Sequence, residues 1–271
     1  MKSTKPSILK NIRLMKECIR LRFATYTEYR INFYFDIIMR LLEFALFFIM
    51  WQSILGANGN IPGWDIQSLF VLYSFENIFL SLLITFMWST TGAWKNIHEG
   101  RIDKYLCRPT NVWLMVVGER MGMAFGGYFV GFAGLLLSQL FFGINLVQPA
   151  LIFGVILIVI SIFISTLFAL MIATLSFWLG KIEFINSIFE SLMEFDQFPQ
   201  TIFPWQIQTI LSITIPFLFA HTLPALAILG RISLYEMGGW ILIGLGIACI
   251  NWIGFSILWK KGVKRYEAHG G

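Results

Sequence analysis

The chain has 271 residues, 57% of them hydrophobic and only 13% charged, with a mean hydropathy of +0.73. That balance excludes a water-soluble globular domain, in which roughly a quarter of residues are charged. The formal net charge is +5, and the placement of the cations carries more information than their sum.

Residues 1–30 are too polar for a secretory signal. Ile8, Ile12, Met15, Ile19 and Phe23 nevertheless recur at helical spacing, with Lys10, Arg13, Lys16, Glu17 and Arg20 on the remaining face. A basic amphipathic helix of this kind lies in the headgroup plane of an anionic leaflet, and its cations also serve as a flank that fixes topology. Beyond it the apolar residues come in blocks of about twenty, the length a helix rising ~1.5 Å per residue needs to cross a ~30 Å hydrocarbon core. Spans are predicted near residues 32–55, 69–89, 113–142, 150–175, 184–198 and 238–259, with a further apolar stretch at 209–229.

Lys and Arg are retained on the cytoplasmic side of short loops. Eight precede the first span, Lys95, Arg101, Lys104 and Arg108 lie between the second and third, Lys181 follows the fourth, and Lys260, Lys261, Lys264 and Arg265 follow the last. Loops 56–65 and 143–149 hold none, and with Arg40 and Arg120 just inside spans only Arg231 stands apart. Both termini are therefore expected in the cytoplasm, which requires an even number of crossings. That parity makes residues 199–232 an outer re-entrant or interfacial hairpin instead of a seventh span. Pro199, Pro204, Pro216 and Pro224 punctuate it, with His221 between the last two. Pro216 and Pro224 each remove a backbone donor and disfavour helix in the preceding residue. Such a broken segment is tolerated at membrane depth only where protein or water shields the open backbone.

No soluble domain interrupts the spans; the longest polar connection is 91–110. Within it, residues 94–109 form a short amphipathic piece. Ile97, Ile102, Tyr105 and Leu106 are set to face the membrane or a partner, and Lys95, Glu99, Arg101, Asp103 and Lys104 to face water. Gly100 can interrupt the helix and Pro109 stops it. The aromatics Trp94 and Tyr105 beside so many charges favour a contact surface over a solvated loop.

Enzymatic chemistry has little material. A phosphate-cradling Gly-Lys-Ser/Thr loop is lacking, His98-Glu99 has no second histidine at zinc-protease spacing, and the three histidines are scattered. ATP hydrolysis and its Mg2+ are expected on another subunit, with no cofactor on this chain and no nucleic acid as partner. Cys18, Cys107 and Cys249 imply no disulfide framework.

The run Gly100-Arg101-Ile102-Asp103-Lys104-Tyr105-Leu106-Cys107-Arg108-Pro109 resembles the signature of ABC-2-type permeases. The likeness extends through Glu28-Tyr29-Arg30, Gly63-Trp64, Ser176-Phe177-Trp178, Glu194-Phe195, Ile202-Phe203-Pro204, Ile215-Pro216-Phe217, Leu229-Gly230-Arg231 and Lys264-Arg265-Tyr266; it departs after Tyr266. The resemblance implies an all-α, six-span permease of the ABCG-like exporter fold, with an N-terminal connecting helix, a coupling helix at 94–109 and re-entrant helices outside. It further implies two permeases around one path, each docked on an ATPase subunit, with a paralogous partner permease favoured over an identical one. Trp94, Glu99, Gly100, Arg101, Asp103, Arg108 and Pro109 are the expected ATPase-coupling residues.

Carboxylates at membrane depth are costly and usually face a cavity or a partner. Asp36, Arg40 and Glu43 share a face as a self-neutralising cluster, whereas Glu183, Glu190 and Glu194 share another, and Glu190 and Glu194 have no cation near in sequence. Glu76, Asn77, Glu190 and Glu194 are the candidates for a translocation path or a dimer interface. Trp51, Trp64, Trp205, Trp240 and Trp259 sit near expected interfaces, and glycines from 122 to 134 make a strip for close helix packing. The function expected is the permease subunit of an exporter in a prokaryotic cell membrane. The alternatives are a non-transporting anchor that docks a cytoplasmic partner, and then a bare channel.

Overall fold

The computed structural model describes residues 8–28, 30–56, 61, 63–87, 90, 93–107, 112–119 and 124–266. Among these the chain is all-α: no strand forms, and a single isolated bridge joins Ile61 to Trp64. Helix α1 (Ile8–Glu28) leads into α2 (Arg30–Gly56) and α3 (Ile66–Phe86). Two short helices, α4 (Ala93–His98) and α5 (Asp103–Leu106), precede α6 (Val112–Glu119) and α7 (Phe125–Phe142). Then follow α8 (Pro149–Thr174), α9 (Ser176–Leu179), α10 (Glu183–Leu192), α11 (Trp205–Thr214), α12 (Leu223–Ile228) and α13 (Leu234–Arg265).

Local chemistry sets several boundaries. Asp65 caps α3 by accepting from the Ser68 N–H, Pro149 occupies the first turn of α8 where its missing donor costs nothing, and Ser233 with Glu236 forms a capping box at the start of α13. Among the described residues, Ile66–Phe86, Phe125–Phe142, Pro149–Leu179 and Leu234–Arg265 are long and apolar enough to cross a membrane. The pair Trp205–Thr214 and Leu218–Ile228, bent by 90°, makes a fifth if it counts as one span. The molecule is an all-α polytopic membrane protein.

Two expected spans differ in form. The stretch 113–142 is divided into α6 and α7, with 120–123 outside the described residues. The stretch 184–198 is a ten-residue α-helix continued by the 3-10 turn Met193–Gln197. It sets out beside Ile182, buried in the cluster around Trp94, and ends with the Phe198 ring 5.9 Å from that of Trp51. Tightening to 3-10 geometry, which rises ~2 Å per residue, lets few residues cover the distance.

Helix α3 is the central element, buried on nearly all sides. Its hydroxyls are satisfied in place: Ser74, Ser81 and Thr85 each donate to the carbonyl four residues earlier. Helix α7 lies close against it because of Gly131, where a Cβ would fall 2.6 Å from Ile78 Cγ1 and 2.7 Å from the Ser74 carbonyl oxygen. On α2, by contrast, Ile31, Phe35, Ile38, Leu42, Leu46 and Ile49 form an exposed stripe suited to lipid. Two of the tryptophans expected at interfaces are core residues instead. Trp51 is buried among Phe47 and Phe198, and buried Trp64 donates from Nε1 to Thr201 Oγ1 at 2.9 Å.

The loops gather at two ends. At one, Ile61 and residues 63–65, 145–148 and 200–231 meet: Gln148 Nε2 donates to the Ile228 carbonyl at 2.8 Å, and Arg231 Nη2 to Ser68 Oγ at 2.7 Å. At the other, α4, α5 and the start of α6 pack with residues 173–185 and the C-terminal part of α13. Helix α1 joins this second end, its Phe23 ring 5.3 Å from that of Phe125 and Cys18 seated against Gly118, where a Cβ would lie 2.6 Å from its sulfur.

Candidate functional site

The turn between α4 and α5 is a charged tip on an apolar root. Trp94 (3% exposed), Ile97, Ile102 and Tyr105 are buried with Val116, Ala173 and Ile182. These apolar residues therefore face the chain's own helices; of those expected to face membrane or partner only Leu106 is exposed. Gly100 takes φ +71°, the left-handed conformation that reverses the chain between the two helices. Beside it, exposed Arg101 and Glu99 form a salt bridge, and Lys95 Nζ lies 5.4 Å above the Trp94 ring. Trp94 acts as the anchor that positions these charges. Arg108 and Pro109 lie outside the described residues.

The far end of α13 is fastened to this tip. Tyr266 Oη donates to the Gly100 carbonyl at 3.1 Å, while its ring meets that of Phe177 at 5.8 Å. Partial burial and the neighbouring Asp103 carboxylate push the phenol up to about 12, so it remains a neutral donor across the physiological range.

Midway along the bundle, a cleft of about 470 Å³ opens between α2, α3 and the 3-10 turn, lined by Arg40, Glu43, Phe47, Tyr73, Glu76 and Asp196 among others. Arg40 Nη1 donates to Glu43 Oε2 at 2.8 Å, as the helical spacing predicts. Asp36 departs from that cluster and accepts from the Gly126 N–H at 2.7 Å, near the start of α7. Glu76 is 2% exposed, and its Oε2 has no hydrogen-bond partner among the described residues. Asn77 points elsewhere, donating to the Tyr73 carbonyl at 2.9 Å as a packing group. The side chains of Glu190 and Glu194 lie outside those described. Asp196, two residues beyond Glu194, lines this cleft; it was not singled out from the sequence, where it is one more acid near the end of the segment.

The hairpin breaks at Pro216. Ile215 before it is extended (φ −128°, ψ 91°), as a residue preceding proline prefers. The carbonyls exposed there are met from both flanks: Ser161 of α8 lies 3.4 Å from the Pro216 oxygen, and Asn251 of α13 donates to the Ile213 oxygen at 3.4 Å. Pro224 breaks nothing. A π turn over Leu218–Thr222 precedes it, and Pro224 sits in the first turn of α12, where no donor is missed. Pro199 and Pro204 precede helical turns in the same way. His221 is fully buried, its ring 5.6 Å from that of Phe217 and its Nδ1 3.3 Å from Thr222 Oγ1, and its Nε2 is unpartnered among the described residues.

Comparison with protein families gives a match to the model described as ABC-2 family transporter protein over residues 37–270, most of the chain. The chain belongs to the ABC-2 transporter family. No curated protein matches it. It is thus a multi-pass permease subunit of an ABC transporter and is not itself catalytic, and its family implies association with an ABC ATPase and with the membrane. The matched span takes in the charged tip, the cleft, the hairpin and Tyr266 of this permease, and leaves out helix α1.

Proposed function

We propose that this permease is one half of a dimeric export path driven by a separate ATPase subunit that binds ATP and Mg2+. The observation that supports it best is the charged tip: Glu99, Arg101 and Asp103 project from a root buried in the transmembrane bundle and fastened to the last helix through Tyr266 and Gly100. A tip built this way converts a push from a cytoplasmic partner into movement of helices, whereas a solvated loop would absorb it. In this reading the tip and both termini are cytoplasmic, in a prokaryotic cell membrane. The whole chain is one transmembrane domain with α1 as its interfacial connecting helix. The segment between Ile182 and Phe198 crosses as the fifth of six spans, and residues 199–232 form the outer gate. Two ATPase copies and a second, paralogous permease complete the assembly, with Glu190 and Glu194 facing path or partner.

Co-purification with an ATPase encoded beside this permease tests the reading. Complex formation and cargo-stimulated ATP turnover are expected, and both should be lost in Arg101→Ala plus Asp103→Ala while membrane insertion persists. Unimpaired export by that double variant would sink the coupling assignment. ATPase docking without any cargo flux would favour a non-transporting anchor instead.

A further inference from the structure

At Glu76 the intramembrane cleft holds a buried acceptor that no described residue satisfies. Its described lining holds three carboxylates, Glu43, Glu76 and Asp196, against the single guanidinium of Arg40. Arg40 is engaged by Glu43 at 2.8 Å. Glu76 lies midway along the 21 residues of α3, at a depth where a carboxylate is costly and marks a pathway or a ligand. It is almost wholly buried and lines the cleft, and its Oε2 meets no donor among the described residues. A buried oxygen without a donor is an expensive arrangement for structure alone. The wall beside it is aromatic: the Phe47 and Tyr73 rings stack at 3.8 Å and 16°, and both line the cleft. Carboxylates next to aromatic faces are the environment that recognises an organic ammonium or guanidinium.

We propose that this cleft binds the cationic group of an amphiphilic organic cation, with the charge set between Glu76 and Asp196 and the apolar body lying along Phe47 and the neighbouring aliphatic wall. A metal ion fits less well, since among the described residues no three His, Cys, Asp or Glu side chains converge to hold one. A volume of about 470 Å³ matches the size of small-molecule sites. The proposal deepens the exporter reading and rests on it only for the bound molecule being cargo.

The test uses the full chain in lipid nanodiscs, with rhodamine 6G as a cationic probe and Nile red as an uncharged one, followed by fluorescence polarisation. Glu76→Gln and Asp196→Asn should each weaken rhodamine 6G binding about tenfold and leave Nile red binding unchanged. Because Glu76 Oε2 has no donor to lose, Glu76→Gln should retain the native elution profile and thermal midpoint, which separates lost recognition from lost folding. Rhodamine 6G binding that survives the double variant, that falls in parallel with Nile red, or that is displaced by magnesium alone would overturn the proposal. Binding by the isolated chain needs no ATPase. A failed probe experiment beside an intact ATPase complex therefore removes the cation site and leaves the exporter reading standing, and the reverse pattern does the opposite.

Discussion

Arg231, the cation that the charge distribution sets apart, fastens the end of the hairpin to the first loop. Its guanidinium donates to the Gly63 carbonyl and to Ser68 Oγ, and lies 3.5 Å from Asp65 Oδ1. Partial burial opposes ionisation of Asp65, yet the hydroxyl and N–H of Ser68, aided by Arg231, hold its carboxyl below the usual carboxylate range. A carboxylate lowered on folding contributes stability above its unfolded pKa, ~3.9, and that contribution is lost as the pH falls through the folded value. Melting temperatures taken from neutral pH down into that acid range should decline more steeply for the native chain than for Asp65→Asn, and parallel curves would contradict the clamp. Arg231→Ala should cost ~1 kcal/mol or less at neutral pH, because the pair is partly exposed and screened. At Gly131 the expected cost is larger. Gly131→Val must push Ser74 or Ile78 aside, an overpacking cost of ~1–3 kcal/mol, measurable as a lower midpoint in detergent.

At the scale of elements, the hairpin shows what single-chain reading reaches. Pro216 announces the break, because the loss of a donor and the restriction on Ile215 are local properties. The harmlessness of Pro224 is not local: it depends on the π turn before it, and that turn is set by packing on α3 and α8. The identity of the groups that shield the break was equally hidden, since Ser161 and Asn251 lie 55 and 38 residues from their acceptors. Ser161→Ala and Asn251→Leu should each destabilise by ~1 kcal/mol, and proteolysis within residues 205–228 should accelerate in both. Unchanged cleavage would mean that other groups carry the break. The segment 184–198 was legible as a short apolar span, but its switch to 3-10 geometry was not, because that switch has no signature in hydropathy. The charged tip was the clearest of all in sequence. Its inversion, with Trp94, Ile97, Ile102 and Tyr105 turned inward, escaped because periodicity gives a face without saying what covers it.

Across the whole molecule, the end that carries residues 93–107 also gathers α1, residues 175–182 and the tail of α13, so the cation-rich segments share one side as the charge count expects. The fastening of that side suggests a direct measurement. Tyr266→Phe removes the bond to Gly100 and keeps the ring on Phe177. It should leave the fold intact, yet raise hydrogen exchange at residues 97–102 and weaken the response of ATP turnover to cargo; unaltered exchange would show that the bond carries no load.

Helix α13 joins the two ends in a single piece. Its 32 residues span ~48 Å at ~1.5 Å per residue, with Asn251 holding the broken hairpin partway along and Tyr266 grasping the tip just past its end. A continuous helix is stiff along its axis, so it behaves as a pushrod with two bearings: a shift imposed at either bearing is delivered to the other. Thermodynamic reciprocity then makes the traffic two-way. A molecule pressing on the hairpin would be felt at the tip as surely as a partner pressing on the tip would be felt at the hairpin.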